Sequence, residues 1–279
     1  MLVNPSKGLK GLIDVIYPNI STKNYNTIFF KTRTILASRN EKVDEINDII
    51  MNQVKNESKI YYSADTKVAV TDENYDIDML YTTEFLNSLT LPGLPTHKLE
   101  LKVNTPIMLL KNLDQTNGLC NGTRLIVTRI GDRVIEAEII TGTNIGEKVI
   151  IPRIILTSSK SDLPFIIKRR QYPIKVAYAM TINKSQGQTL QHIGLCLQTP
   201  IFSHGQLYVA LSRASSVHSL KVLLSNNHDI PYGFTRNIVY KDVLTDVLQQ
   251  KSFQGSSQFH FFTLHICKLY SYISLFLKN

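Results

Sequence analysis

Cysteine is scarce in this sequence, and its spacing argues against a zinc site. The three cysteines are Cys120, Cys196 and Cys267, and no two of them lie within four positions of each other. Zinc ligands and disulfide frameworks both need cysteines that are closer together or more numerous. We therefore expect no metal centre, and we expect these thiols to be buried and inert in a reducing compartment.

Glycine followed by lysine does not occur anywhere in the sequence. The phosphate-binding loop of the G-x-x-x-x-G-K-[ST] type needs that pair, because backbone amides and one lysine cradle the phosphates. A buried strand that ends in Asp-Glu and could hold magnesium is missing as well. Asp44-Glu45 falls on the polar face of a predicted helix, and Asp72-Glu73 precedes a polar loop. We therefore expect no primary nucleotide site in these residues.

We expect no secretory signal peptide, since the first residues lack a charged segment followed by an apolar one. No internal repeat is found at the periods of solenoids or propellers. The composition, 43% hydrophobic and 19% charged, is typical of a globular domain with room for a smaller insert. The formal charge of +9 favours a polyanionic partner, either nucleic acid or an acidic membrane surface.

Residues 34–54 have the pattern of a β-loop-α unit. A short apolar run at 34–37 predicts a buried strand, and Ser38-Arg39-Asn40 predicts a loop in which Asn40 is the N-cap. Apolar residues then recur at helical spacing, at Val43, Ile46, Ile49, Ile50 and Val54. Ligands of open α/β sheets gather at the carboxyl ends of strands, which is where this loop would lie.

Two regions of different character follow. Short apolar runs in residues 99–156 alternate with turn signals such as Asn117-Gly118 and Asn121-Gly122, which predicts a small antiparallel β-barrel. The α/β pattern then returns, with strands predicted at 175–181, 193–197 and 220–224 and a helix at 206–213. Alternating strands and helices favour a parallel sheet. The simplest architecture is one α/β lobe that a β insert interrupts.

The tail from about residue 248 is apolar and aromatic. A membrane span there would include His265 and Lys268, which are costly near the centre of a bilayer. We therefore expect no membrane partner and assign no role to residues 247–279.

Three segments resemble motifs of helicases. Residues 35–41 (ILASRNE) with 43–47 (VDEIN) resemble motif IV, residues 177–189 (AYAMTINKSQGQT) resemble motif V, and residues 205–213 (GQLYVALSR) resemble motif VI. Further blocks match in the same order, at residues 62–65, 83–89, 106–113, 118–125 and 235–240. Residues 10 to 246 thus resemble the Pif family of superfamily-one helicases, which includes the helicase parts of Helitron transposons.

The resemblance implies a fold and a division of the chain. Pif helicases have two RecA-like lobes that clasp ATP while single-stranded DNA crosses both, and this chain resembles the second lobe. The implied parts are residues 1–97 (the first part of the lobe, with motif IV), 98–160 (a Src-homology-type β-barrel insert) and 161–246 (the rest of the lobe). The fold class is therefore α/β, a P-loop-NTPase lobe. ATP and Mg2+ would be bound mainly by the front lobe, which these residues do not include.

The resemblance also implies nucleotide-facing residues. Arg213 and Arg39 match two catalytic arginines that reach the γ-phosphate, a task that suits a guanidinium because its charge is permanent and its donors form a fixed fork. Each could instead form a surface ion pair. Gln186, Gly187 and Gln188 match the motif V turn that faces the nucleotide.

A DNA-facing set is implied by the same motif. Thr181, Asn183, Lys184 and Ser185 match its DNA side, where hydroxyls, an amide and a lysine suit phosphate oxygens. The basic triplet Lys168-Arg169-Arg170 would extend this track or form a solvated face.

Three positions depart from the family pattern. Ser38 and Thr96 stand where prolines are common, and Asn104 stands where glycine is common. These departures affect local turns more than they affect the charged residues.

Two functions follow from the resemblance. The first is the carboxyl-terminal part of an ATP-dependent 5′-3′ DNA helicase acting in replication, repair, recombination or telomere maintenance, in the nucleus or mitochondrion. Its partners would be single-stranded and forked DNA, and a front lobe in cis or in trans. The second is a stand-alone single-stranded-DNA-binding module, or a non-functional fragment, without ATPase activity of its own.

Overall fold

The computed structural model describes residues 2–22, 25, 27–69, 81–158, 163, 165–225, 235, 237 and 238. Asp72-Glu73, most of the match at 235–240 and the tail 247–279 lie outside the described residues. The chain divides into two compact units, which we call the α/β unit (residues 1–20, 32–51 and 179–279) and the β-rich unit (residues 21–31 and 52–178).

The helices of the described residues are short apart from α3. They are α1 (Gly8–Ile16), α2 (Thr27–Lys31), α3 (Asn40–Gln53), α4 (Thr83–Ser88) and α5 (Gln206–Ser212), with 3-10 turns at Pro5–Lys7, Ile182–Ser185 and Val217–Ser219. Within the described ranges, no helix is both long and apolar enough to cross a membrane.

The strands of the described residues fall into four sheets. They are β1 (Arg33–Ala37), β2 (Ser58–Tyr62), β3 (Ala64–Ala69), β4 (Lys98–Lys102), β5 (Pro106–Leu109), β6 (Arg124–Ile130), β7 (Val134–Ile139), β8 (Lys148–Pro152), β9 (Ile154–Thr157), β10 (Phe165–Gln171), β11 (Ile174–Val176), β12 (Ala179–Thr181), β13 (His192–Leu197) and β14 (Leu220–Leu224).

The α/β unit contains a four-stranded sheet in the order β12-β1-β13-β14. All its pairings are parallel, which confirms the predicted α/β class with a parallel sheet. Helix α1 packs against β13 through buried residues that include Leu12 and Ile16. Gly194 of β13 permits this approach, because a Cβ there would lie only 2.9 Å from Ile16 Cγ1.

The prediction of one strand at 175–181 was wrong, because the structure has two separate strands in this segment. β11 pairs antiparallel with β5 of the β-rich unit, whereas β12 pairs in parallel with β1 of the α/β unit. Tyr178, between the two strands, is buried and packs edge-on against Phe30, with ring centroids 5.8 Å apart. One continuous segment of sequence therefore contributes one strand to an antiparallel sheet and the next strand to a parallel sheet.

Asn47 ties helix α3 to β12. Its side chain is buried, the Ala179 N–H donates to Asn47 Oδ1 at 2.8 Å, and Asn47 Nδ2 donates to the Ala179 carbonyl at 3.4 Å. The amide thus bonds the Ala179 backbone as a neighbouring strand would. This contact fixes β12, the strand that lies within the motif V segment.

The β-rich unit is built on an antiparallel sheet in the order β11-β5-β6-β7-β8. One face of this sheet buries a cluster of Ile, Leu and Val side chains, including Leu101, Leu125 and Ile139. Smaller sheets pair β2 with β4, and β3 with β10 and β9. Residues 52–97 therefore group with this unit by contact, whereas the predicted division placed them in the lobe; that division stays a prediction.

The turns of the β-rich unit explain one departure from the family. Gly118 and Gly122 have φ of +74° and +96°, as the predicted turn signals require. Asn104 also has a positive φ, +68°, in the turn between β4 and β5. Asparagine tolerates this left-handed conformation better than most residues, which accounts for its standing where glycine is common.

Arg169 of β10 is buried and fully bonded. Its Nε donates to both carboxylate oxygens of Asp65 at 3.0 Å, and its Nη2 donates to Asp65 Oδ2 at 2.6 Å. The remaining donors reach the carbonyls of Leu86 at 2.9 Å, Leu89 at 3.2 Å and Pro95 at 2.9 Å. The side chains of Arg169 and Asp65 are 1% and 0% exposed, so the pair is shielded from water.

The interpretation of Lys168-Arg169-Arg170 as a DNA track was therefore wrong for Arg169. Lys168 and Arg170 are exposed, whereas Arg169 points to the opposite face of the strand. The charge of Arg169 is paired with the carboxylate of Asp65. The other donors of the guanidinium bond backbone carbonyls in α4 and in the segment after it. Its role is structural.

Replacing Asn47 by alanine should lower the free energy of unfolding by about 1–3 kcal/mol, because the buried Ala179 N–H loses this acceptor. The exposed Asn52 of the same region provides the control, and Asn52→Ala should cost less than about 0.5 kcal/mol. Urea denaturation followed by circular dichroism measures both. Equal losses for the two variants would contradict the role given to Asn47.

Replacing Arg169 by methionine should cost about 3–5 kcal/mol, because Asp65 would remain buried without its cation. Arg170→Met, one residue along the strand on the exposed face, is the matched control and should change stability by less than about 0.5 kcal/mol. The double variant Asp65→Leu/Arg169→Met should recover part of the loss, since it removes both charges. Failure of the double variant to recover any stability would point to lost packing instead.

Candidate functional site

The candidate site lies at one edge of the parallel sheet in the α/β unit. Because β1, β12 and β13 run in parallel, their carboxyl ends meet at the same edge. The register places Ala37 beside both Thr181 and Cys196. The loop after β1 carries Arg39, and the 3-10 turn Ile182–Ser185 follows β12 directly. Motifs IV and V are therefore neighbours in space.

Arg39 is exposed at this edge. Its guanidinium carbon lies 6.0 Å from the centre of the Phe202 ring, at the outer limit of a cation–π contact. Within the described residues, no carboxylate oxygen lies within ion-pair distance of Arg39. Its charge is thus available to an anionic ligand.

Arg213 follows helix α5 and is half-buried. Its Nε donates to the Val209 carbonyl at 3.2 Å, its Nη1 to the Gln188 carbonyl at 3.2 Å, and its Nη2 to Ser212 Oγ at 3.0 Å. All three partners are neutral, so these bonds orient the guanidinium without neutralising it. The bond to Gln188 places motif VI against the motif V turn.

The turn that is predicted to face the nucleotide contains a glycine with positive φ and one buried acceptor without a donor among the described residues. Gly187 has a φ of +83°, a conformation that disfavours residues with a Cβ. Gln188 Nε2 donates to the Lys184 carbonyl at 3.4 Å, while Gln188 Oε1 is buried with no donor among the described residues. An acceptor shielded in this way costs about 1–3 kcal/mol. Gln186, by contrast, is exposed.

The residues predicted to face DNA are only partly at the surface. Asn183 and Lys184 are exposed, and Thr181 is half-buried. Ser185 is fully buried, and its hydroxyl donates to the Ile182 carbonyl at 2.6 Å. In this arrangement the Ser185 hydroxyl closes the turn and does not face solvent.

Two residues of this edge were not predicted. Phe202 is an exposed aromatic residue whose proximity to Arg39 depends on the tertiary structure. Gln206 is buried, although it begins a helix that looks polar at that position in the sequence. The only sequence signal was that both lie in or beside the segment that resembles motif VI.

Cys196 at the end of β13 is buried, and this burial raises the pKa of its thiol. The thiol therefore stays protonated at neutral pH and is a poor nucleophile. Cys120 is half-buried, and Cys267 lies outside the described residues. In the part of the chain that the structure describes, no group of three or more His, Cys, Asp or Glu side chains is placed to hold a metal ion.

Comparison with known proteins identifies relatives of this chain. Residues 84–130 match the family described as DNA helicase Pif1, 2B domain. Among curated proteins, the ATP-dependent DNA helicase PIF1 of Homo sapiens is 37% identical over 128 residues, which are 45% of this chain and 19% of that protein.

Solved structures share the fold over most of the chain. Pif1 helicase from Bacteroides in complex with ADP-AlF3 and single-stranded DNA aligns over 89% of this chain and 51% of that chain, with a TM-score of 0.56 and 23% identity. Pif1 helicase from Candida albicans aligns over 88% of this chain and 59% of that chain, also with a TM-score of 0.56 and 23% identity.

The matched region is a part of these proteins, since the chain spans 19% of the human relative and 51% of the Bacteroides chain. The 2B-domain match, the curated relatives and the shared fold agree with one another. Together these findings support an assignment of the chain to the carboxyl-terminal part of a Pif-family helicase, which it resembles in sequence and in fold.

Proposed function

We propose that this chain is the second RecA-like lobe, with its Src-homology-type β-barrel insert, of an ATP-dependent DNA helicase that moves 5′ to 3′ on single-stranded DNA. The observation that carries the proposal is that the turn at residues 182–188 lies beside the loop with Arg39 at one sheet edge and is bonded by Arg213. The names of the relatives, ATP-dependent DNA helicase and Pif1 bound to single-stranded DNA, support it.

The two arginines would act on the γ-phosphate of ATP. Phosphoryl transfer is accelerated mainly by positioning and by neutralising charge on the transferred group. Arg39 is exposed and Arg213 is held by neutral partners, so both retain a full positive charge for this purpose. A phosphate oxygen that takes the place of the Gln188 carbonyl would give Arg213 a charged acceptor, which forms stronger bonds than a neutral one.

The motif V turn would connect the nucleotide to the DNA. Gln188 bonds Arg213 through its carbonyl and Lys184 through its side-chain amide, within one short segment. Asn183 and Lys184 are exposed on that turn and would contact phosphates of the DNA backbone, while Thr181 stands at its start. Movement of Arg213 on nucleotide binding would therefore shift the DNA-facing residues directly.

Magnesium would come with ATP and would be held mainly by the front lobe. The described residues of this chain offer no cluster of carboxylates for it, and we derive no step through the ion. The phosphate-binding loop would belong to the front lobe as well, supplied in cis or in trans.

A second function, single-stranded-DNA binding without ATP turnover, is favoured by the lack of any Gly-Lys pair and by the net charge of +9. The two functions differ in whether the protein hydrolyses ATP, and both require that it binds single-stranded DNA.

We further propose that the helicase acts in the nucleus or mitochondrion, in replication, repair, recombination or telomere maintenance.

Arg213→Ala should reduce the DNA-stimulated ATPase rate by about 10³-fold when this chain is joined to the front lobe of a Pif-family helicase. Arg170→Ala, which removes an exposed arginine from β10, should leave the rate within about twofold of the parent. The 279-residue chain by itself should give no DNA-stimulated turnover above background. An unchanged rate for Arg213→Ala would remove the catalytic assignment, and turnover by the chain alone would refute the need for a front lobe.

Binding to single-stranded DNA should weaken as salt rises, because contacts with phosphates release counterions. Lys184→Ala should reduce the slope of log K against log salt by about 0.7, the value for one lost phosphate contact on a single strand. Lys10→Ala removes the same charge from an exposed lysine of α1 that is not among the predicted DNA-facing residues, and it should change the slope less. Fluorescence anisotropy with labelled oligothymidine measures both slopes. Equal slopes for the two variants would contradict a phosphate contact at Lys184.

A further inference from the structure

Both the oxygen and the nitrogen of the Gln206 side-chain amide form hydrogen bonds inside the α/β unit. It is the first residue of α5, and only 2% of its surface is exposed. The Phe202 N–H donates to Gln206 Oε1 at 3.1 Å, and Gln206 Nε2 donates to the Ser38 carbonyl at 3.4 Å. The amide therefore joins the start of α5 to the loop that carries Arg39.

Ser38 makes a second link between the same two segments. Its hydroxyl donates to the Thr199 carbonyl at 3.1 Å, and its side chain is buried. Proline, which is common here in the family, has no hydroxyl and cannot make this bond. The loop after β1 is thus held to residues 199–206 by Ser38 and Gln206 together.

The two links join the segments that carry the two candidate arginines. Arg39 directly follows Ser38, and its guanidinium lies against Phe202, whose N–H is bonded to Gln206. Arg213 is the C-cap of the helix that Gln206 begins. Helix α5 has seven residues, so its ends are separated by about 10 Å of rigid backbone.

We propose that Gln206 is a positioning residue that sets the spacing between Arg39 and Arg213, with Ser38 as its partner. This inference rests on the proposed function, in which both arginines meet one phosphate group. Gln206 does not touch the nucleotide; it acts by holding the β1 loop at a fixed distance from the start of α5.

The amide chemistry explains why glutamine fits this position. The Phe202 N–H needs an acceptor and the Ser38 carbonyl needs a donor, and an amide supplies one of each. Glutamate would direct a carboxylate at the Ser38 carbonyl, and methionine would fill the space without either bond. Either change leaves a buried backbone group without its partner.

The first test uses the 279-residue chain and the arginine side-chain Nε–H signals in NMR spectra, assigned with Arg39→Lys and Arg213→Lys. Gln206→Met should shift the Arg39 signal and increase its line width. Gln171→Met is the matched control, because Gln171 is also a buried glutamine whose amide bridges backbone groups, at Tyr61, His97 and Tyr172. That control lies in the β-rich unit and should leave both arginine signals unchanged.

An unmoved Arg39 signal in folded Gln206→Met would overturn the proposal, as would an equal shift in Gln171→Met. If Gln206→Met fails to fold, Ser38→Ala takes its place, since it removes only one hydroxyl. Ser38→Ala should shift the Arg39 signal in the same direction by a smaller amount, and no shift would overturn the proposal.

The second test separates this inference from the proposed function. In the protein joined to a front lobe, Gln206→Met should lower kcat at least tenfold and leave the dissociation constant for DNA within twofold. A shifted Arg39 signal with an unchanged kcat would refute the need for this spacing in catalysis. An unchanged kcat in Arg213→Ala as well would refute the proposed function itself.

Discussion

The parallel pairing of β1 with both β12 and β13 is the constraint on which the candidate site depends. Parallel strands bring their carboxyl ends to one edge, so the loop with Arg39 and the turn with Lys184 must lie side by side. Asn47 strengthens this pairing by bonding the Ala179 backbone. Residues more than 140 positions apart in the chain become neighbours through one sheet register.

Buried polar side chains then fix the positions of the loops and turns that follow the strands. In the α/β unit, Gln206 and Ser38 join the β1 loop to the start of α5, and Arg213 bonds the motif V turn. In the β-rich unit, Arg169 and Asp65 form a shielded ion pair whose spare donors hold three carbonyls. Such groups are costly to bury unless fully bonded, so each one selects a single local arrangement.

Much of the fold was predictable from local patterns. The strand at β14, the helix α3 and the turns at Gly118 and Gly122 were found because periodicity and turn chemistry are recorded in neighbouring residues. The run at 175–181 was misread, since a continuous apolar stretch does not reveal that its halves pair with different strands. Arg169 was misread for a related reason: a basic triplet in a strand has one residue on the opposite face.

The sequence by itself determined the class of fold, the order of the helicase-like motifs and the residue types available for chemistry. The relatives confirm the Pif-family assignment that those motifs predicted. Only the tertiary structure decided which of these side chains are exposed and which are bonded inside. The bonds from Ser38 to Thr199 and from Gln206 to Ser38 span 161 and 168 positions, and Ser185 faces inward although its motif is polar. Sequence periodicity records contacts within one helix or strand, whereas these bonds depend on how distant segments meet.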